Sequence, residues 1–360
     1  MNAFDSLLEL LTGSTLKPLE PGDWAAVLQF AERNKLVLPL AQSVANNEAV
    51  PKDVRERLSS EATRKSLVEI HRAGHLLELV ADFQEAGIEV KSFKGPTLAQ
   101  LAHGRVSARE CCDIDLLVKP AHFDRALKRL FAQGFVYEME DQPRCYTRFH
   151  YGVPLNNGPR RLTVDLHYEL FSAGVHFPSD RIWDCPFHVE IQGVAVPTFR
   201  PEHTFVYLAL HGSKHCWREL RWLHDLYVLL PQVDLGEVEA FARLQSCERS
   251  VALALGLLDE LWSTGYSLSS VKADPSLLSQ SLRLLQGARI SWPEYHFYQY
   301  RCQSTWQQRF RLFLHTWFSP QIHDLRFVDL PPSLWFVYYA IRPIRVLGRR
   351  LIPLKGVSDD

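Results

Sequence analysis

VKSFKGPTLAQLAHGRVSARECCDIDLLV, residues 90–118, reads as a strand, a Lys94-Gly95 turn, a short helix, a polar loop and a second strand. The second strand carries Asp113-Ile114-Asp115 ahead of Leu116, Leu117 and Val118. Alternate strand residues project from one face, so Asp113 and Asp115 are expected to point together while Ile114 and Leu116 face the core. Two carboxylates held side by side repel unless a cation lies between them or one keeps its proton. The spacing therefore suggests a site for a hard divalent cation, Mg²⁺ or Mn²⁺, which prefers oxygen ligands.

A two-metal site needs a third carboxylate. RLTVDLHY, residues 161–168, offers Asp165 in a run with strand-like alternation. The preceding FHYGVPL and the turn residues Asn156-Asn157-Gly158 make this the second half of a hairpin, because Asn and Gly tolerate the positive φ of tight turns. If that hairpin lies beside the Asp113 strand, three acids converge. His167 shares the strand face of Asp165 and is expected to orient that carboxylate or to act as a base, with a structural hydrogen bond as the simpler role.

Lone D-x-D strings are common at solvated strand ends. What shifts the balance is the company: the apolar Leu116-Leu117-Val118 run, the matching Asp165, and the Lys94-Gly95 turn. Gly95 lets the backbone approach an anion, and the following helix N-terminus adds partial positive charge, so Lys94 and Gly95 are expected to contact a phosphate. Arg109, just before the D-x-D, is left with two roles, a partner of one of those acids or a phosphate ligand.

These residues resemble a known family. Lys94-Gly95, Arg109-x-x-x-Asp113-Ile114-Asp115-Leu116-Leu117-Val118, Gly134-Phe135, Val164-Asp165-Leu166-His167 and His211-Gly212-x-x-His215-x-Trp217 look like the bacterial nucleotidyltransferases of the DNA polymerase beta-like superfamily. The resemblance runs from about Lys91 to Asp225. It implies an α+β fold, a small mixed nucleotidyltransferase-type sheet with helices, flanked by N- and C-terminal helical portions, and it supplies no substrate. Where the wider superfamily has Gly-Ser after the first strand, this chain has Lys94-Gly95, which implies a charged side chain in place of a hydroxyl at the triphosphate.

Length and composition bound the rest. With 360 residues and a formal net charge of −1, the chain has room for a substantial core and no global field that draws nucleic acid. Its seven cysteines lack C-x-x-C spacing, and Met1-Asn2-Ala3-Phe4-Asp5 lacks a basic region followed by an apolar run, so a reducing, cytoplasmic protein is expected. Cys111 and Cys112 are expected to pack beside the D-x-D strand.

Along the chain, residues 1–87 are helical in pattern, with Leu67, Ile70, Gly74, Leu77 and Ala81 forming a stripe in one long helix between Pro51 and Gly87. Residues 88–200 alternate strands and helices, including a helix over 121–133 with Phe123, Ala126, Leu127 and Leu130 inward, and a hairpin over 187–196 turning at Gly193. Residues 201–360 are helical again, among them a single aromatic-rich run over 293–318. The division expected is an N-terminal helical portion (1–87), a catalytic α/β domain (88–200) and a C-terminal helical domain (201–360).

The stretch HGSKHCW, residues 211–217, has two histidines at i, i+4 without the Glu of H-E-x-x-H, so His211 and His215 read as core or orienting residues, not zinc ligands. If this helix closes over a nucleotide, Lys214 reaches a phosphate and Trp217 or Trp222 stacks on a base. SLWFVYYAIRPIRVLGRR, residues 333–350, is apolar then basic and too short to span a bilayer. It reads as a closing core helix, or as membrane-surface contact with Arg342, Arg345, Arg349 and Arg350 near headgroups.

The reading is thus a metal-dependent nucleotidyltransferase. Asp113, Asp115 and Asp165 hold Mg²⁺ or Mn²⁺, and a nucleoside monophosphate passes from a nucleoside triphosphate to an acceptor hydroxyl on a small molecule, protein or RNA. The alternatives are a non-catalytic nucleotide- or partner-binding module, and a toxin-like enzyme that modifies RNA or protein.

Overall fold

The computed structural model describes residues 3–12, 19, 21–138, 146–172, 174–175 and 177–351. Four helices open the chain: α1 (Ala3–Leu11), α2 (Pro21–Arg33), α3 (Val37–Val44) and α4 (Lys52–Glu85). The mixed region follows as β1 (Val90–Ser92), α5 (Gly95–His103), β2 (Ile114–Val118), α6 (Phe123–Ala132), β3 (Val136–Tyr137), α7 (Tyr146–Phe149), β4 (Gly152–Asn157), β5 (Leu162–His167), α8 (Asp180–Trp183), β6 (His188–Ile191) and β7 (Val194–Pro197). The rest is helical: α9 (Pro201–Lys214), α10 (Leu220–Leu229), α11 (Leu235–Leu244), α12 (Glu248–Trp262), α13 (Pro275–Leu285), α14 (Trp292–Cys302), α15 (Trp306–Phe318), α16 (Ile322–Leu325) and α17 (Tyr338–Leu351). The class is α+β, as expected.

Five strands form one sheet in the order β1-β2-β5-β4-β3, and β6 pairs with β7 in a separate hairpin. The pair β2–β5 is parallel and β1–β2, β3–β4 and β4–β5 are antiparallel, so the sheet is mixed. β2, between β1 and the central strand β5, is buried along its whole length, whereas β5 alternates buried and half-buried residues. Ile114, Leu116 and Val118 join the core between the sheet, α4 and α6. Leu117 faces the other way, into a second core shared by the N-terminal helices and α9 to α14. Helices from both ends of the chain therefore share one core on the sheet face that carries Asp115.

The helix over 123–132 buries Phe123, Ala126, Leu127 and Leu130, as its periodicity predicts. Two expectations need correction. Along α4 the buried stripe is Glu69, Ala73, Leu76, Leu79, Val80 and Phe83, while Leu67 and Ile70 are exposed. An acid displaces leucine from the inner face because Glu69 Oε1 accepts the Cys111 N–H at 3.0 Å and pairs with Arg72. The aromatic run over 293–318 is two helices, broken before Trp306, where Thr305 and Gln308 form a capping box that starts α15.

Candidate active site

The register of β2 against β5 sets the site. Asp115 stands directly opposite Asp165, Ile114 opposite Val164, and Leu117 opposite His167. Asp115 and Asp165 therefore project from the same sheet face, with His167 two residues further along. One ligand atom from each of Asp115, Asp165 and His167 lies within 4.8 Å of the others. Asp113 precedes the first residue of β2, half-buried, and lines the same cavity without joining that tight group. The three acids thus line one cavity, and the closest trio within it is Asp115, Asp165 and His167.

Asp115 is fully buried. Lys94 Nζ lies 2.7 Å from its Oδ1, and apart from that ion pair neither carboxylate oxygen has a hydrogen-bond partner among the described residues. Burial works against the ammonium, and Asp115 more than offsets that, so Lys94 holds its proton above the ordinary lysine range. The turn that delivers Lys94 requires glycine next to it: Gly95 has φ +55°, and a Cβ there would stand 2.8 Å from the Asp113 carbonyl oxygen.

Burial, then the neighbouring Asp115 and Asp113 charges, lift the Asp165 carboxyl to about 7. Burial and Asp115 likewise raise Asp113. His167 is driven the other way, to about 3, by burial and by Lys94 and Lys214. Its imidazole is therefore neutral, and both ring nitrogens lack a hydrogen-bond partner among the described residues. Two carboxylates and a neutral imidazole suit a divalent cation, and the buried Asp115 Oδ2, which has no partner among the described residues, is what such an ion would satisfy.

The rest of the wall is largely cationic. A cavity of ≈ 520 Å³ is lined by Lys94, Gly95, Arg109, Asp113, Asp115 and Asp165, with His167, His211, Lys214, His215, Arg218 and Arg221 around them. Arg109 pairs with neither acid of the D-x-D: its Nε donates to Asp225 Oδ1 on α10 at 2.8 Å, while the residue stays on the cavity wall. Burial would raise the Asp225 carboxyl, and Arg109 holds it well below the usual range instead. Arg218 and Arg221 were not singled out by the sequence reading, although WREL-R directly follows the histidine stretch. Cys111 is buried as expected, whereas Cys112 is exposed on the cavity wall.

The stretch 211–217 divides its labour. Gly212 and Trp217 are structural: Trp217 is fully buried, and a Cβ on Gly212 would stand 2.2 Å from its ring. Trp217 is therefore a core residue and not a base-stacking surface; Trp222 lines the cavity beside His211 and His215. Burial keeps both histidines neutral, His215 at about 3 and His211 well below its ordinary value. Lys214 Nζ donates to Tyr151 Oη at 2.9 Å, and no carboxylate pairs with it among the described residues.

A second cavity of ≈ 510 Å³ abuts the first. Tyr151, Asp165, His167 and Lys214 belong to both. Beyond that seam it is walled by Tyr146, His150, Tyr295, His315 and Arg342, among others.

Among solved structures, the chain is similar to the solution structure of the antibiotic-resistance factor ANT(2'')-Ia, at 15% identity and a TM-score of 0.35. That similarity covers 47% of this chain and 89% of the other. No curated protein matches. The family described as uncharacterised nucleotidyltransferase matches residues 20–263, which include every site residue named above except Arg342, Tyr295 and His315 on the second cavity. The chain belongs to that nucleotidyltransferase family.

Proposed function

We propose that this protein is a metal-dependent nucleotidyltransferase that binds a nucleoside triphosphate, ATP among the candidates, in the Lys94–Arg221 cavity. A hydroxyl presented in the second cavity then attacks the α-phosphorus, the bond from that phosphorus to the α–β bridging oxygen breaks, and pyrophosphate leaves as the nucleoside monophosphate passes to the acceptor. The observation that carries the reading is the in-register pairing of Asp115 with Asp165 at the seam of the two cavities. Asp115, Asp165 and His167 would hold the cation, with Asp113 beside them on the nucleotide side. Mg²⁺ or Mn²⁺, when bound, supplies charge stabilisation for the entering and leaving oxygens of an in-line displacement.

The chain's own groups do the rest. Lys94, Lys214, Arg218 and Arg221 balance the charge of the triphosphate, and Gly95 at the start of α5 brings backbone N–H groups to it. Asp165, which faces the acceptor cavity as well as the nucleotide cavity, is placed to help take the proton of the acceptor hydroxyl. His211 and His215, being neutral, add polar contacts without adding charge. In this reading residues 88–200 are the catalytic unit, and residues 1–87 and 201–360 its helical support. A cytoplasmic location accords with unpaired cysteines and with the absence, among the described residues, of any helix long and apolar enough to cross a membrane.

The test is to incubate the protein with each α-labelled nucleoside triphosphate, Mg²⁺ or Mn²⁺, and a cell extract, and to follow the label. Transfer that disappears in Asp115→Asn supports the reading. Specific nucleotide binding without transfer under any pairing returns the protein to a non-catalytic binding module.

A further inference from the structure

Helices α15 and α17 wear their side chains inside out. The buried face of α15 is Gln308, Leu312 and Thr316, spaced by four, while Trp306, Phe310 and Phe313 face solvent at 69%, 55% and 43% exposure. In α17 the two arginines turn inward: Arg342 Nη1 and Arg345 Nη1 lie 3.2 and 2.7 Å from the carboxylate of Asp324, which is itself buried. Tyr339, Ile344 and Leu347 point outward instead, all exposed. The two helices pack against each other. Arg342 and Arg345 are therefore not headgroup ligands, as the sequence suggests; the apolar side of the helix is what the protein presents.

Exposed aromatic side chains repeated along one helix face are uncommon on a protein that meets only water, and they mark a surface that something apolar covers. Charge decides what. Among the described residues 295–347 the exposed charged side chains are Arg309, Arg311 and Arg326 against one acid, Asp329, in a chain whose net charge is −1. A second copy would set one arginine-rich face against another, whereas an anionic bilayer offers hydrocarbon for the aromatic side chains and negative headgroups for the surrounding arginines. Arg309 and Arg311, both exposed, flank Phe310 directly. The surface lies outside the stretch that matches the nucleotidyltransferase family, which ends at residue 263. We propose that α15 and α17 dock this protein, without spanning it, on a membrane surface rich in anionic lipid. The docking is independent of the transfer chemistry.

The experiment is co-sedimentation of the full chain with vesicles of phosphatidylcholine alone or of phosphatidylcholine mixed with phosphatidylglycerol, at low and high salt. The expected result is binding to the anionic vesicles, weakened by salt and absent with the neutral ones. Phe310→Ser combined with Phe313→Ser should lower the partition coefficient by roughly tenfold or more at an unchanged melting temperature. Ile344→Ser combined with Leu347→Ser provides the same reading from the other helix if the first variant folds poorly. Failure of the wild type to bind anionic vesicles, or binding that both variants retain, overturns the proposal. So does a dimer that forms without lipid and is abolished by these substitutions, since the face is then an interface between copies.

Discussion

The centre of the sheet and the C-terminal helix pair break the same rule in opposite directions. β2 carries a carboxylate into a fully buried position, and α15 carries tryptophan and phenylalanine out into water. Inside, the cost of Asp115 is offset by one lysine that reaches back from the preceding turn. Outside, nothing in the described residues offsets the exposed rings. Both inversions make sense when a partner is included: a cation and polyphosphate at the first, a lipid surface at the second. Misplaced polarity is therefore a more informative guide to function here than the well-ordered core between the two.

The largest effect that would sharpen this contrast is at Asp115. Asp115→Asn should lower nucleotide transfer by on the order of 10³, measured as label transferred per unit time, because a preorganised charge at the reacting phosphate is lost. From the sequence, crowding of three acids leads one to expect that this substitution relieves repulsion and leaves the chelated protein at least as heat-stable. The Lys94 ion pair reverses that expectation: Asp115→Asn strands an ammonium in the interior, and the melting temperature in chelator should fall.

The converse change comes next. Lys94→Met keeps the length of the side chain but leaves Asp115 buried without its counter-charge, so stability in chelator should drop by roughly 3 kcal/mol. Mg²⁺ or Mn²⁺ should restore a larger share of the melting temperature in Lys94→Met than in wild type, since the added cation has no ammonium to compete with. Equal metal-induced shifts in the two proteins would place the cation elsewhere.

At the other region, Leu312→Ala, on the inward face of α15, should cost about 2 kcal/mol by denaturant unfolding. Phe310→Ser, on the outward face of the same helix, should stay within about 0.5 kcal/mol. A large loss at Phe310 in the absence of lipid would mean that this ring is already covered, and the comparison would collapse.

The pH dependence gives a gradual effect between these extremes. The Asp165 carboxyl is raised in the folded state to about 7 from the ordinary carboxylate range, so the folded protein binds the extra proton. Stability in chelator should then be greatest below the unfolded value and decline as pH rises from about 4 through 7. Asp165→Asn should flatten the stability profile, and a profile that keeps its slope would assign it to other groups.

Much of the site was legible from residue order because its logic is local. Alternation in residues 162–167 and the inward face of α6 follow from periodicity alone, and both are seen. Pairings made across long stretches of chain were not legible. Arg109 finds Asp225, and the arginines of α17 find Asp324, through contacts that no spacing announces. The α4 stripe was misread for the same reason: Glu69 is admitted to the inner face by the Cys111 N–H, a partner that the helix sequence does not contain. Lys94 was readable as a cation beside the acids, yet its capture by one of them depends on the φ of Gly95 and on how closely β1 lies against β2.

The one-to-one register of β2 and β5 carries a consequence for which sequence changes the protein can accept. Side chains alternate faces, so a slip of one residue would bring Val164 or Leu166 opposite Asp115 and turn Asp165 into the apolar core against α4 and α6. The turn between β4 and β5 therefore acts as a ruler. Point substitutions at residues 158–160 are cheap, but a single inserted or deleted residue within β5 is expected to abolish the site outright. Natural variation in length should accordingly be found in the loops around these strands and not within them.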